Sequence, residues 1–449
     1  MLHQPIAIPT ASRAEVIAAF SHALDLTEGQ PAGHCIRTCW IGMQVGRAIG
    51  LSDADLGDLY YALLLKDLGC SSNAARICEL YEADDRAFKA GYKTVGTSLA
   101  STLHFVFSRT AKGGSLRQRA RAIGNILLNG DAIAQDLIVS RCTRGADIAR
   151  TLRFSDAVCD AIYHLDEHWN GSGRPGRLQG EAIPLLSRIA LMAQVADVFH
   201  SHAGREAAAD EVRRRSGDWF DPALVEAFLA VSASPTFWQV LSSPTIEGRV
   251  VRLAPHCSDR PLDGAYLDSI ADAFGQVIDA KSPFTAGHSK RVGDLSARMA
   301  TAFDMTADEV RWLRRAAVLH DVGKLGVSSA ILEKPGGLDD REWAEMRDHA
   351  THTRAILGRI GAFSDLADVA AAHHERLDGG GYPLGLPGAA ISRHTRIITT
   401  CDFYDALVSD RPYRGALPVD EAFRIMSDAS GTAIDPECLA VLKASVDRT

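Results

Sequence analysis

Apolar residues recur at three- and four-residue spacing along almost the whole chain, which predicts an all-α protein built as two tandem helical domains. Three observations carry this. Segments such as AEVIAAFSHALDL, DSIADAFGQVIDA and EVRWLRRAAVLHDVG have the helical period. A chain of 449 residues is too long for one ordinary domain. One plan of residues also occurs twice, at a separation far longer than a solenoid repeat.

The repeat can be followed element by element. AAFSHALDLTEGQPAGHCIR near the start matches DAFGQVIDAKSPFTAGHSKR later, pairing Gly33-His34 with Gly287-His288 at an offset of 254. Each copy then runs 32 residues to a charged pair before a glycine, Lys66-Asp67-Leu68-Gly69 and His320-Asp321-Val322-Gly323. EHWNGSGRPGRLQGEAIPLLSRIA matches ERLDGGGYPLGLPGAAISRHTRII at an offset of 208, so the first copy holds 46 additional residues between its two blocks. The domains expected are 14–230, with an insertion around 75–140, and 265–449. Residues 231–264, with prolines at 235, 244, 255 and 261, read as the linker, and VVRL within them as a short strand. Thr306 before ADE, and Leu338-Asp339-Asp340 before REWAEM, read as helix starts with acidic first turns. The Gly- and Pro-rich stretch 378–388 reads as a loop.

Composition narrows the function. With 46% hydrophobic and 23% charged residues the chain folds, and a net charge of -8 gives no global attraction to DNA, RNA or an anionic membrane. No apolar run is long enough to span a bilayer, and the start lacks the features of a signal peptide. Nine cysteines without a CxxC pair read as reduced thiols in the cytoplasm, with Cys35 and Cys39 as small apolar helix residues.

The second copy gathers metal-compatible side chains: His288, His320, Asp321, His349, His373, His374 and Asp402. Imidazole with carboxylate suits iron, manganese or zinc, and the lack of cysteine among them argues against a structural thiolate site. Seven ligands are too many for one ion and fit two, with a carboxylate such as Asp321 able to bridge. Two such ions clamp a phosphodiester and activate water near neutral pH.

HDVGK (320–324), HHERLDGGGYP (373–383) and TRIITTCDFYDALVSDRPYR (395–414) resemble the signature blocks of the HD-GYP family, a subgroup of the HD phosphohydrolase superfamily. The resemblance covers the second copy and implies two tandem HD-type domains, the second an HD-GYP domain that hydrolyses cyclic di-GMP to pGpG or GMP, or cyclic GMP-AMP. It implies one ion, iron first and manganese next, on His288, His320, Asp321 and Asp402, and another on Asp321, His349, His373 and His374. Phe284 stands where three-ion members have a glutamate, which favours two ions. Asp321 and Lys324 are the implied catalytic residues. Lys324, Tyr382, Asp405, Arg411 and Arg414 are the implied substrate contacts, and Glu375 and Asp378 the orienting or loop-organising groups. His256, His352 and His394 match no ligand position.

The first copy keeps only His34 and Asp67 of these ligands. Lys66, Arg141, Leu165-Asp166 and Gln194 fill the other places, Cys70 replaces the lysine, and Gly173-Arg174-Pro175 replaces Gly-Tyr-Pro. His164 and His168 lie off the ligand positions. This half reads as a non-catalytic copy that packs against the active copy, binds a regulator or binds a nucleotide without cleaving it, and as the place for a homodimer contact or a protein partner. The favoured function is a metal-dependent cyclic dinucleotide phosphodiesterase acting on cyclic di-GMP. The alternatives are a phosphohydrolase for cyclic GMP-AMP or another phosphoester, and a non-catalytic nucleotide-binding signalling protein.

Overall fold

The computed structural model describes residues 12–93, 99–110, 116–255 and 262–446; His256 lies outside them. Among the described residues there is no β-strand, only three isolated bridges, and helices make up the fold. The chain divides into two compact units, Ser12–Pro261 and one that takes in Leu262–Thr449.

In the second unit the helices Gly264–Asp279, His288–Ala302, Ala307–Leu319 and Arg393–Val408 pack around Phe274, Val277, Val292, Met299, Leu313, Val318, Ile397 and Ile398, all buried. Their starts follow the side chains. Thr306 and Asp339 are N-caps, and each forms a reciprocal pair of hydrogen bonds with the glutamate three residues on, Glu309 and Glu342. The short turn Val322–Gly326 lies against the helix Asp340–Gly358 because position 323 has no side chain. A Cβ there would stand 1.9 Å from the carbonyl oxygen of His349. That approach draws His320-Asp321 and His349 together.

The first unit repeats several of these devices. Gly33 and Gly287 both adopt left-handed backbone, at φ 84° and 71°, immediately before the helices His34–Ala48 and His288–Ala302. A Cβ at Gly69 would stand 1.9 Å from the carbonyl oxygen of Arg141. Glu167 accepts from the amides of Gly176 and Leu178, as Glu375 does from Leu384 and Leu386. Residues 75–140 hold the helices Ala74–Tyr81, Asp85–Tyr92 and Leu99–Arg109 and much of Leu116–Thr151, with a small core of Ile77, Leu80, Phe88, Phe105, Val106, Ile126 and Leu137.

Two expectations fail at 231–264. The segment contains the helices Pro235–Leu241 and Ile246–Val251, so VVRL is the end of a helix and the turn after it, not a strand, and both helices pack on the helix His34–Ala48 of their own unit. Pro235 stands in the first turn of its helix, where no backbone N–H is needed, so it starts an element instead of breaking one. Phe237, Trp238, Leu241, Ile246 and Val250 are buried, and Trp238 donates to the Ser232 carbonyl at 2.7 Å.

Among the described residues no single helix is long and apolar enough to cross a membrane. Pro222–Ser232 and Pro235–Leu241 reach that apolarity only together and are bent by 90°.

Candidate metal centre

Asp321 is the hub of the second unit's site. Its Oδ2 faces Nε2 of His320 at 3.3 Å and of His288 at 3.6 Å, while its Oδ1 faces Nε2 of His349 at 3.5 Å and of His373 at 3.6 Å. Asp402 Oδ1 lies 3.3 Å from His288 Nε2 and 3.8 Å from His320 Nε2. Ligand atoms within 4.8 Å of one another form three overlapping groups: Asp321, His349, His373 and His374; His288, His320 and Asp321; and His320, His373 and Asp402. The structure thus brings together all seven residues singled out from the sequence.

The other ring nitrogens define how these imidazoles point. Nδ1 of His320, His349 and His373 lies 2.6, 2.5 and 2.6 Å from the carbonyl oxygens of Ala317, Met346 and Ala370. A carbonyl only accepts, so Nδ1 carries the proton and the Nε2 lone pair faces the cluster. His288 Nδ1 is held by Asp405 at 2.7 Å. His288 Nε2, His320 Nε2 and Asp321 Oδ1 are buried with no hydrogen-bond partner, an expensive arrangement that a cation among them would satisfy. The donor set therefore fits a pair of divalent ions.

Electrostatics agree with that fit. Burial holds His349 down to about 4 and His374 down to about 3, so both imidazoles are neutral at pH 7. At His320 burial acts the same way, but Asp321 and Asp402 outweigh it and push the value up to about 9. This imidazole attracts a proton that a metal ion would displace. Burial disfavours the Asp321 charge, yet His320 and Lys324 keep its carboxyl well below the usual range.

Lys324 Nζ reaches Asp321 Oδ2 at 2.6 Å, at the edge of the cluster. The Tyr382 ring lies 4.7 Å from that of His374, tilted by 30°. A Cβ at Gly381 would stand 2.4 Å from the Arg376 amide, so the loop needs glycine there. Glu375 and Asp378 organise this loop: Asp378 accepts from the Gly380 amide at 2.9 Å and pairs with Arg376.

Two of the expected substrate contacts are engaged elsewhere. Both Asp405 oxygens are taken, by His288 and by Arg291 at 2.6 and 3.0 Å, so Asp405 orients a histidine of the cluster. Arg414 donates to the carbonyls of Ala406, Leu407 and Gly415, closing the end of the helix Arg393–Val408. Arg411, by contrast, has no ion pair among the described residues and is half-buried. Phe284 sits in the turn Pro283–Thr285, and His352 and His394 lie outside the cluster, His394 edge-on to Trp312.

The aligned place in the first unit holds no such cluster. Lys66 Nζ is buried against Asp67 and lies 3.8 Å from Cys35 Sγ; Arg141 pairs with Asp166. His34 keeps the arrangement of His288, with Nδ1 on Asp197 at 2.7 Å and Arg37 on the same carboxylate. Glu28, Asp67 and Cys70 also lie within metal-binding distance of one another. Lysines already occupy their surroundings: Lys93 Nζ is 2.7 Å and Lys89 Nζ 3.7 Å from Glu28. Burial would raise Glu28, but Lys93, Lys89 and Arg141 pull it well below the usual range. Sequence reasoning missed Glu28, Lys89 and Lys93. The two lysines come from the insertion, which has no counterpart to align with.

A helical unit with a His/Asp cluster centred on one buried carboxylate defines the HD class of metal-dependent phosphohydrolases. The HD domain model matches residues 132–224 and 272–438, and the chain belongs to that family, with the intact Gly-Tyr-Pro element of its HD-GYP branch. The chain is 54% identical over 445 residues to the "3'3'-cGAMP-specific phosphodiesterase 3" of Vibrio cholerae, covering 98% of this chain and 96% of that one. A crystal structure described as a cyclic GMP-AMP specific phosphodiesterase of V. cholerae matches with a TM-score of 0.67 and 47% identity, over 98% of this chain and 99% of that one. A "Cyclic di-GMP phosphodiesterase" of Thermotoga maritima is 37% identical over 187 residues, 41% of this chain and 51% of that protein.

Proposed function

We propose that this protein is a metal-dependent cyclic dinucleotide phosphodiesterase that opens 3'3'-cyclic GMP-AMP in preference to cyclic di-GMP. The observation that carries the chemistry is Asp321, buried, with one oxygen toward His288 and His320 and the other toward His349 and His373. The substrate order rests on the V. cholerae relative that matches over nearly the whole chain. This reverses the order expected from the motifs, which specify the metal ligands and say little about the base. The T. maritima relative keeps cyclic di-GMP as the second substrate to test.

One ion, iron first and manganese next, is assigned to His288, His320, Asp321 and Asp402, and another to Asp321, His349, His373 and His374. Bound there, they supply activated water and neutralise phosphate charge. The chain's own groups do the rest. Lys324 places a positive charge beside Asp321, where it can offset charge developing on the leaving oxygen. Burial, then the Asp321 and Asp402 carboxylates, raise the Tyr382 phenol far above its ordinary value, so it stays protonated and can donate to a phosphate oxygen. Arg411 is the cation available for a second phosphate. The unit Ser12–Pro261 is assigned no turnover, because lysine and arginine stand where its metals would be. The buried free thiols of Cys35, Cys39, Cys70, Cys142, Cys159, Cys401 and Cys438 support a reducing, cytoplasmic setting.

The test is turnover by anaerobically purified, iron- or manganese-loaded full chain, followed by product chromatography. Linear dinucleotide or mononucleotides from cyclic GMP-AMP, at higher kcat/KM than from cyclic di-GMP, is the expected result. Neither substrate cleaved by metal-replete protein contradicts the reading.

A further inference from the structure

A line of ring and guanidinium contacts leads out of the metal centre to the surface. It begins at the half-buried His374, on which the Tyr382 ring lies at 4.7 Å. The Arg347 guanidinium sits 5.6 Å from the centre of the Tyr382 ring and 5.7 Å from that of Trp343. Trp343 and Arg347 are four apart on the helix Asp340–Gly358, the helix that carries His349, and so share one face. Trp343 is 45% exposed, and Arg347 is exposed with no carboxylate partner among the described residues. A single exposed tryptophan is ordinary. An indole and a guanidinium without a carboxylate partner among the described residues, aligned with a ring that itself lies against a histidine of the cluster, form a platform with one end at the His/Asp cluster.

The first unit supplies the comparison. At the same offset that pairs His349 with Arg141, Trp343 corresponds to Gln135, Arg347 to Val139 and Tyr382 to Arg174. Gln135 there donates to the Pro175 carbonyl at 2.8 Å, and Arg174 pairs with Asp131. The unit that lacks the metal ligands lacks the platform as well.

We propose that Trp343 and Arg347, with Tyr382, form a stacking site for a nucleobase of the substrate and so determine its binding. This rests on the cyclic dinucleotide reading above. A planar base stacks on an indole or between indole and guanidinium faces whatever its hydrogen-bonding edge, so the site serves guanine and adenine alike. The phosphodiester is then placed at the metals by a contact remote from the reacting bond.

The experiment compares metal-loaded full-length wild type, Trp343→Ala, Trp343→Tyr and Arg347→Gln on cyclic GMP-AMP and on methyl p-nitrophenyl phosphate, a phosphodiester without a base. Trp343→Ala is expected to raise KM for the cyclic dinucleotide about tenfold, with Arg347→Gln smaller in the same direction and Trp343→Tyr recovering most of the loss. The ratio of kcat/KM on the dinucleotide to that on the small diester falls by the same factor. Equal losses on both substrates, or a dinucleotide KM within about twofold of wild type in Trp343→Ala, overturn the platform. Wild type that cleaves only the small diester overturns the cyclic dinucleotide reading itself, and the platform with it.

Discussion

The two units place a buried aspartate at the same point of a similar scaffold and give it opposite surroundings. Asp321 is faced by the Nε2 atoms of imidazoles; Asp67 is faced by the Lys66 ammonium. Both arrangements answer one demand, that a buried carboxylate needs positive charge beside it. Their chemical consequences differ. A metal ion has coordination positions that water and phosphate can take, whereas an ammonium already held by a carboxylate leaves none open. Around Lys66 the substitution extends further, with Arg141 on Asp166 and Lys89 and Lys93 beside Glu28. The scaffold elements, by contrast, persist in both units: a left-handed glycine before the histidine helix, and an Asp–Arg pair, Asp197–Arg37 or Asp405–Arg291, behind the histidine. Fold and chemistry are separable here, residue by residue.

The largest effect that can break this comparison is expected from Asp321→Ala. It removes the carboxylate shared by both proposed ion sites, and turnover should fall by about a thousandfold or more, read by kcat on cyclic GMP-AMP. Retained activity would mean that Asp321 is not the bridge. Next comes Lys66→Met, which leaves Asp67 buried and uncompensated. A loss of about 3–5 kcal/mol is expected for the first unit, read by denaturant unfolding, and Lys66→Met/Asp67→Leu should regain much of it. No loss would show that the lysine does not stand in for metal charge. Asp405→Asn is expected to cost about ten- to hundredfold in metal affinity or activity, because His288 loses its orienting partner. Asp197→Asn, the matching change in the first unit, should leave metal content as it was, read by elemental analysis of both variants. Equal metal loss in the two would place a working metal in the first unit.

Much of the candidate site was legible because the His320-Asp321 and His373-His374 pairs fall in the turns that follow helices, where packing does not explain them, although His349 and Asp402 lie within helices. The helical fold was legible through the three- and four-residue apolar period and through caps such as Thr306 and Asp339. Less was legible where a side chain's partner decides its role. Asp405 and Arg414 are charged residues at substrate-contact positions, and only the hydrogen bonds to His288, and to Ala406 and Leu407, show them engaged within the protein. Lys89 and Lys93 reach Glu28 across a fold the insertion's sequence does not announce. VVRL reads as a strand because β-branched residues favour strands in isolation. Ile246 and Val250, four apart, bury on one helical face and override that preference. The prolines of 231–264 read as breakers, although at Pro235 the first helical turn accepts proline without loss.

The central claim is that metal binds in one unit only, on the cluster around Asp321. Metal equivalents per chain, measured by elemental analysis on anaerobically purified wild type and Asp321→Ala, test it most directly. The account predicts two equivalents of iron or manganese in the wild type and their loss in the variant. Two equivalents retained in Asp321→Ala, or none in the wild type, would contradict it.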